Sequence, residues 1–160
     1  MFGKSYGAKK YVIDKFLKNG SQFLYLRRYA KELDSVFNKD RFDPKDFFDD
    51  IRFNYSDHEL IAKAKKFYCD GQVFGYGKRL TEAQDLKSGV FENIKTIIID
   101  EYPVEKNRRY YLPQEGMILM SIFDSVIRNR SDVKIFILGN AVERPWIFST
   151  FFIFWFEASL

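Results

Sequence analysis

The apolar positions of the chain fall into two rhythms, one helical and one extended. Over residues 5–18 (SYGAKKYVIDKFLK), Tyr6, Lys10, Ile13 and Leu17 recur along one face, which predicts a helix closed by a left-handed cap at Asn19-Gly20. Gln22 to Leu26 is a short apolar strand ended by Arg27-Arg28. Lys31–Asn38 and Pro44–Ile51 predict short helices, the second with Asp43 as N-cap and Pro44 at the first helical position. Over 59–80 the grammar changes. Asp70-Gly71 stands between two apolar runs, Phe67 onwards and up to Phe74, and predicts a β-hairpin. Thr96 to Ile99 is an unbroken apolar strand that ends in Asp100-Glu101, as strands buried on both faces of a parallel sheet do. A helix over 114–127 follows, with Met117, Met120, Phe123, Asp124 and Ile127 at helical spacing. Val133–Leu138 is a further buried strand, closed by Gly139-Asn140. Strands alternating with helices predict an α/β fold, a mostly parallel sheet with helices on both faces.

Composition narrows the class. At 160 residues the chain forms one domain, and its 46% hydrophobic content, with 18 Phe, is ample for a core. Charged residues at 30% argue against disorder by charge and against an integral membrane protein. Trp146 to Phe156 is apolar but shorter than the about 20 residues that span a bilayer. The N-terminus has no signal-peptide pattern, so the expectation is a soluble protein with no membrane partner. One cysteine, Cys69, and one histidine, His58, exclude a disulfide framework and a Cys/His zinc cluster; a packed cysteine and a surface histidine are expected. The net charge of +4 leans mildly towards a polyanionic partner. Lys63, Lys65, Lys66, Lys78 and Arg79 decorate the hairpin. They make either a solvated, aggregation-resistant edge or a set of nucleic-acid phosphate contacts.

Four groups of residues carry candidate chemistry. Gly3-Lys4-Ser5 opens the first helix as the last three residues of a phosphate-binding loop do. There the lysine reaches the β- and γ-phosphates and the serine hydroxyl binds magnesium at a helix N-terminus. Asp100 and Glu101 end an apolar strand, one carboxylate for a magnesium ion and one to polarise the attacking water. Asn140 ends the next strand, where an amide can hydrogen-bond that water or the γ-phosphate. Arg128-Asn129-Arg130 closes the helix before it. An arginine there serves either the helix C-terminus or, as a finger, a neighbouring subunit's nucleotide.

The segments GKSYGAKKYVIDKFLKNGSQFLYLRRYAKEL, SDHELIAKAKKFYCDGQVFGYG, NIKTIIIDEY and SVIRNRSDVKIFILGNAV resemble the DNA encapsidation proteins of small tailed phages, from Gly3 to about Val142. That resemblance implies a ring ATPase that drives double-stranded DNA into a preformed capsid, in the host cytoplasm, with a portal or packaging RNA as partner. It implies a P-loop NTPase sheet of the additional-strand, RecA/FtsK-like kind, with ATP and Mg2+ as cofactors. By position, Gly3, Lys4 and Ser5 match the loop, Ser5 and Asp100 the magnesium ligands, and Glu101 the catalytic glutamate. Arg128 matches a trans-acting arginine finger and Asn140 a sensor. Arg27, Arg28 and Lys87 match basic positions with nucleotide or inter-subunit roles.

The chain departs from that pattern at both ends. A full phosphate loop reads Gly-x-x-x-x-Gly-Lys-Ser/Thr after a strand, and the sequence holds only its last part, so the first strand is expected to be missing. Residues 1–142 then form a partial ATPase domain with an inserted hairpin at 59–80, and 143–160 an aberrant aromatic-rich tail. The family's strand order leaves Asn140's strand beside Asp100's, and Asp100's beside Arg27's, with Lys134–Leu138 as an apolar edge. Such a form is expected to be inactive. The alternative is a non-enzymatic remnant that binds nucleic acid or the parent motor, with Lys63, Lys65 and Lys66 as contacts.

Overall fold

The computed structural model describes residues 3–37, 46–82, 92–100, 112–127 and 130–139. Among the described residues, three α-helices are set around one sheet: α1 (Lys4–Asn19), α2 (Ala30–Phe37) and α3 (Glu115–Ile127). The strands are β1 (Gln22–Arg27), β2 (Leu60–Lys63), β3 (Lys66–Cys69), β4 (Gln72–Arg79), β5 (Ile94–Ile99) and β6 (Lys134–Ile137). They form a six-stranded sheet in the order β2-β3-β4-β1-β5-β6. β4, β1, β5 and β6 run parallel, while β2, β3 and β4 form an antiparallel meander. The strands of Gly139, Asp100 and Arg27 are therefore neighbours, in the order the sequence predicts, and β6 is the edge strand of the described sheet.

Alternation along β1 divides the core in two, because successive side chains point to opposite faces. Phe23 and Tyr25 join Phe67, Phe74 and Ile98 under α1 and α2, a face built largely of aromatic rings. Leu24 and Leu26 join Ile97, Ile99 and Ile135 under Leu119, Ile122 and Val126 of α3, a face built of aliphatic side chains. Glycines make the aromatic face flat enough to pack. A Cβ at Gly75 would lie 2.2 Å from the Phe23 ring and one at Gly77 2.5 Å from the Phe37 ring. α1 ends as predicted, with Gly20 at φ 71° and its N–H bonded to Phe16 O.

Several expectations need correction. The hairpin expected over 59–80 holds a third strand. It is a three-stranded meander whose last strand, β4, pairs with β1 in the middle of the sheet. β2 escapes sequence reading because its turn lacks turn residues: Ala64 and Lys65 both take positive φ, 52° and 58°. Asp70-Gly71, at φ 50° and 76°, is the expected tight turn between β3 and β4.

Asp43 and Pro44 lie outside the described residues, and 46–51 forms turns that lead into a 3-10 segment at Arg52–Tyr55 rather than an α-helix. Asp49 accepts from Asp46 N–H at 2.7 Å and Asp46 from Phe48 N–H at 3.4 Å, side-chain bonds that compete with helical ones. On α1 the buried stripe is Ala8, Val12 and Ile13, with Leu17 exposed. On α3 it is Glu115, Leu119, Ile122 and Val126, whereas Met117 (72%) and Met120 (59%) face solvent. Among the described residues, no helix is long and apolar enough to cross a membrane.

Candidate functional site at the carboxyl edge of the parallel strands

β1, β5 and β6 end together. Asp100 N–H bonds Leu26 O at 3.1 Å and Leu138 N–H bonds Ile99 O at 2.8 Å, so the strand ends stay in register past the last ladder residues. α1 reaches β1 through Gly20 and Ser21 alone and must run antiparallel to it. Sixteen helical residues span about 24 Å and six strand residues about 20 Å. Gly3 to Ser5 therefore begin α1 at the edge where Arg27, Arg28 and Asp100 lie. Ligands of α/β sheets bind outside this carboxyl edge. Gly3 is exposed and Ser5 half-buried.

Asp100 is held by two groups from β1. Its Oδ2 accepts from the Tyr25 hydroxyl at 2.7 Å and from Arg27 Nη2 at 2.8 Å, while Arg27 Nε donates to the Tyr25 oxygen at 2.8 Å. Burial, then the Asp100 charge beside it, pushes the Tyr25 hydroxyl well above its usual range, so it stays a donor. Arg27 and Asp100 are 13% and 14% exposed, which leaves the carboxylate within reach of the edge. Tyr25 was not among the residues expected to act. Its signal was a tyrosine two positions before Arg27, on the same side of an otherwise apolar strand.

Arg28 points the other way. Its Nε and Nη2 donate to the two carboxylate oxygens of Glu115 at 2.7 Å each, and the pair is 6% and 4% exposed. Leu112 N–H donates to Glu115 Oε2 at 2.9 Å. The arginine pair thus splits, Arg27 to the Asp100 carboxylate and Arg28 to the start of α3. Arg130 ties the end of α3 to the start of β5, donating to Ile94 O at 2.6 Å.

The three lysines share this edge. β3 runs antiparallel to β4, so the β2–β3 turn lies at the end of β4 where Arg79 sits, and Lys65 O accepts Gly77 N–H at 2.8 Å. Lys63 and Lys66 are directly opposed across the ladder and exposed, an arrangement that is repulsive without an anion. Glu82 lies nearby; hydrogen bonding from Arg79, with Lys65 a smaller influence, brings its carboxyl down to about 2.

At the opposite end, His58, Cys69 and Asp70 meet. His58 Nδ1 lies 2.7 Å from Asp70 Oδ2, and Cys69 Sγ 3.9 Å from the same oxygen. Cys69 is packed, as expected, and burial, with Asp70 beside it, pushes its thiol up to about 11. Counting alone suggested that no Cys/His cluster could form; the meander brings in an aspartate that composition does not pair with them. Glu101, Lys87, Arg128, Asn140 and the 143–160 tail lie outside the described residues.

A family model described as Podovirus DNA encapsidation protein (Gp16) matches residues 1–158. The DNA packaging proteins of Bacillus phages PZA and phi29 are each 40% identical over 141 residues, which is 88% of this chain and 40% of theirs. That of Bacillus phage B103 is 36% identical over 88% of this chain and 41% of its own. The chain therefore spans about two fifths of the curated relatives it matches. The crystal structure of the N-terminal domain of the DNA packaging ATPase from bacteriophage phi29 superposes with a TM-score of 0.74 at 38% identity, over 91% of this chain and 72% of that one. The bacteriophage phi29 genome packaging motor assembly gives 0.75 at 39%, over 91% and 42%.

Proposed function

The chain belongs to the Podovirus DNA encapsidation protein (Gp16) family, and on that premise we propose that it is part of the ATPase of a packaging motor, which couples ATP hydrolysis to movement of double-stranded DNA into a capsid. The observation that favours this most is Asp100 at the carboxyl end of an interior parallel strand, on the edge where α1 begins. Ser5 and Asp100 are hard oxygen donors, the kind that suits Mg2+, and they are the residues that would hold it. Bound there, Mg2+ supplies charge neutralisation on the phosphate oxygens. Arg27 and Tyr25 orient the carboxylate; Gly3 and Lys4 receive the phosphates; Glu101 polarises water and Asn140 senses the γ-phosphate. Arg128 acts from the next subunit of a homo-oligomeric ring, and Lys87 completes the basic positions; Arg28, bound to Glu115, holds the start of α3 instead. The motor would meet a capsid portal or packaging RNA in the host cytoplasm.

Gly3, Lys4 and Ser5 match the end of a phosphate-binding loop, whose backbone amides do most of the phosphate cradling. In a magnesium–ATP assay the Glu101→Gln variant, expected to fall to background, is the control. Turnover above that control, lost again on Asp100→Asn, would show that the chain is a working ATPase.

The opposed lysines favour a second activity, binding of nucleic acid without hydrolysis. Each phosphate contact contributes about 0.9 to the slope of log affinity against log salt. The combined variant Lys63→Gln, Lys65→Gln and Lys66→Gln is expected to flatten the slope for duplex DNA by about 2–3. An unchanged slope would leave the turn as a solvated edge.

A further inference from the structure

We propose that His58, Cys69 and Asp70 form a binding site for a borderline-soft divalent metal ion of the Zn2+ class, at the end of the sheet opposite Asp100. Three different donor types, an imidazole nitrogen, a thiol sulfur and a carboxylate oxygen, lie within 4.8 Å of one another. This is the mixed N/S/O set that tetrahedral zinc takes.

The distances are close to what the ion needs. Zn–N and Zn–O bonds of about 2.0–2.1 Å and a Zn–S bond of about 2.3 Å put tetrahedral ligand atoms roughly 3.3–3.7 Å apart. Cys69 Sγ and Asp70 Oδ2, at 3.9 Å, already stand near that separation. His58 Nδ1 and Asp70 Oδ2, at 2.7 Å, share a hydrogen bond and must part by roughly half an ångström. The imidazole is one-third exposed, which leaves it room to rotate.

The frame is fixed in advance. Leu60 pairs with Cys69 across β2 and β3, and Asp70 N–H bonds Glu59 O at 3.0 Å. Asp70 Oδ1 accepts Glu59 N–H at 2.8 Å, which turns Oδ2 towards the histidine and the thiol. Such outer hydrogen bonds orient metal-binding carboxylates. The thiol lies on the buried side and Asp70 is half-exposed, so an ion enters from solvent and keeps an open position for water. Binding breaks the Cys69 S–H bond and the His58–Asp70 hydrogen bond. The imidazole proton moves from Nδ1 to Nε2, freeing the Nδ1 lone pair; three metal–ligand bonds form and the thiol proton is released to water.

The test is anaerobic titration of the intact chain with Co2+. One equivalent is expected to give a thiolate-to-cobalt charge-transfer band and tetrahedral visible bands, both displaced by Zn2+. Cys69→Ser is expected to abolish the charge-transfer band, and His58→Gln and Asp70→Asn to weaken binding at least tenfold. Asp70→Asn retains the oxygen that accepts Glu59 N–H, and far-ultraviolet dichroism of each variant checks that the meander persists. Absence of a charge-transfer band in the parent chain, or a band that survives Cys69→Ser or is indifferent to His58→Gln, would overturn the site and leave the three side chains as a hydrogen-bonded lock.

Discussion

Glu115→Ala is expected to destabilise the fold by about 3–5 kcal/mol, measured by urea unfolding with an unchanged slope. The carboxylate takes two donors from Arg28 and one from Leu112 N–H. Its removal takes the bidentate carboxylate away from a guanidinium that is only 6% exposed. The loss measures the cost of breaking a buried pair from one side rather than the net worth of the pair. Taking two ions out of water costs much of what their attraction returns, so the double replacement Arg28→Met with Glu115→Leu should restore most of the stability. A single-variant loss below about 1 kcal/mol would mean that Arg28 finds water or another acceptor, as surface pairs do. A deficit in the double variant equal to the single one would assign the effect to α3 packing instead.

Phe67→Ala is expected to cost a similar amount, about 3–5 kcal/mol, for a different reason. Its ring lies 4.8–5.9 Å, centroid to centroid, from those of Phe23, Tyr25, Phe37, Phe47 and Phe48. These come from β1, α2 and the 46–51 turns, so one truncation opens a void beneath three separate pieces of chain. The surrounding rings are planar and rotamer-bound, and they cannot collapse into the space. Phe67→Leu, closer in volume, should cost under about 2 kcal/mol. Phe53→Ala, at a side chain 94% exposed, should fall within about 0.5 kcal/mol of the parent. If the Phe67 and Phe53 variants lose equal stability, the aromatic face is not the core.

Local patterns carried the elements well. α1, β1, β5, α3 and β6 fall within a residue or two of their predicted spans, because glycines or charged residues mark their ends. The faces of the helices were harder. α3 reads EGMILMSIFDSVI, apolar on nearly all sides, so spacing alone cannot choose between the Met117–Met120 stripe and the Leu119–Ile122 stripe. What chooses is Arg28, 87 residues away, which draws Glu115 inwards and sets the roll of the helix. A buried glutamate is invisible to a method that ranks residues by polarity. The same holds at the candidate site. Asp100 and the arginine pair were legible from strand ends, but Tyr25 looked like one more apolar residue until its hydroxyl met Asp100. His58 and Asp70 are 12 positions apart, and only the Leu60–Cys69 register brings them together.

The place of β1 in the sheet has a consequence for the order of assembly. It is the first strand in the chain but lies between β4 and β5, whose paired residues follow it by roughly 50 and 70 positions. The meander, by contrast, closes within a run of 20 residues, Leu60 to Arg79. Closing the longer loops costs more entropy before any contact rewards it, so the meander can zip up locally while β1 waits. Until β5 arrives, the Leu24 and Leu26 side of β1 has only Leu80 of the aliphatic cluster borne by the strands and their ends, and one hydrogen-bonding edge is open. During that interval the chain is most exposed to pairing with another copy of itself.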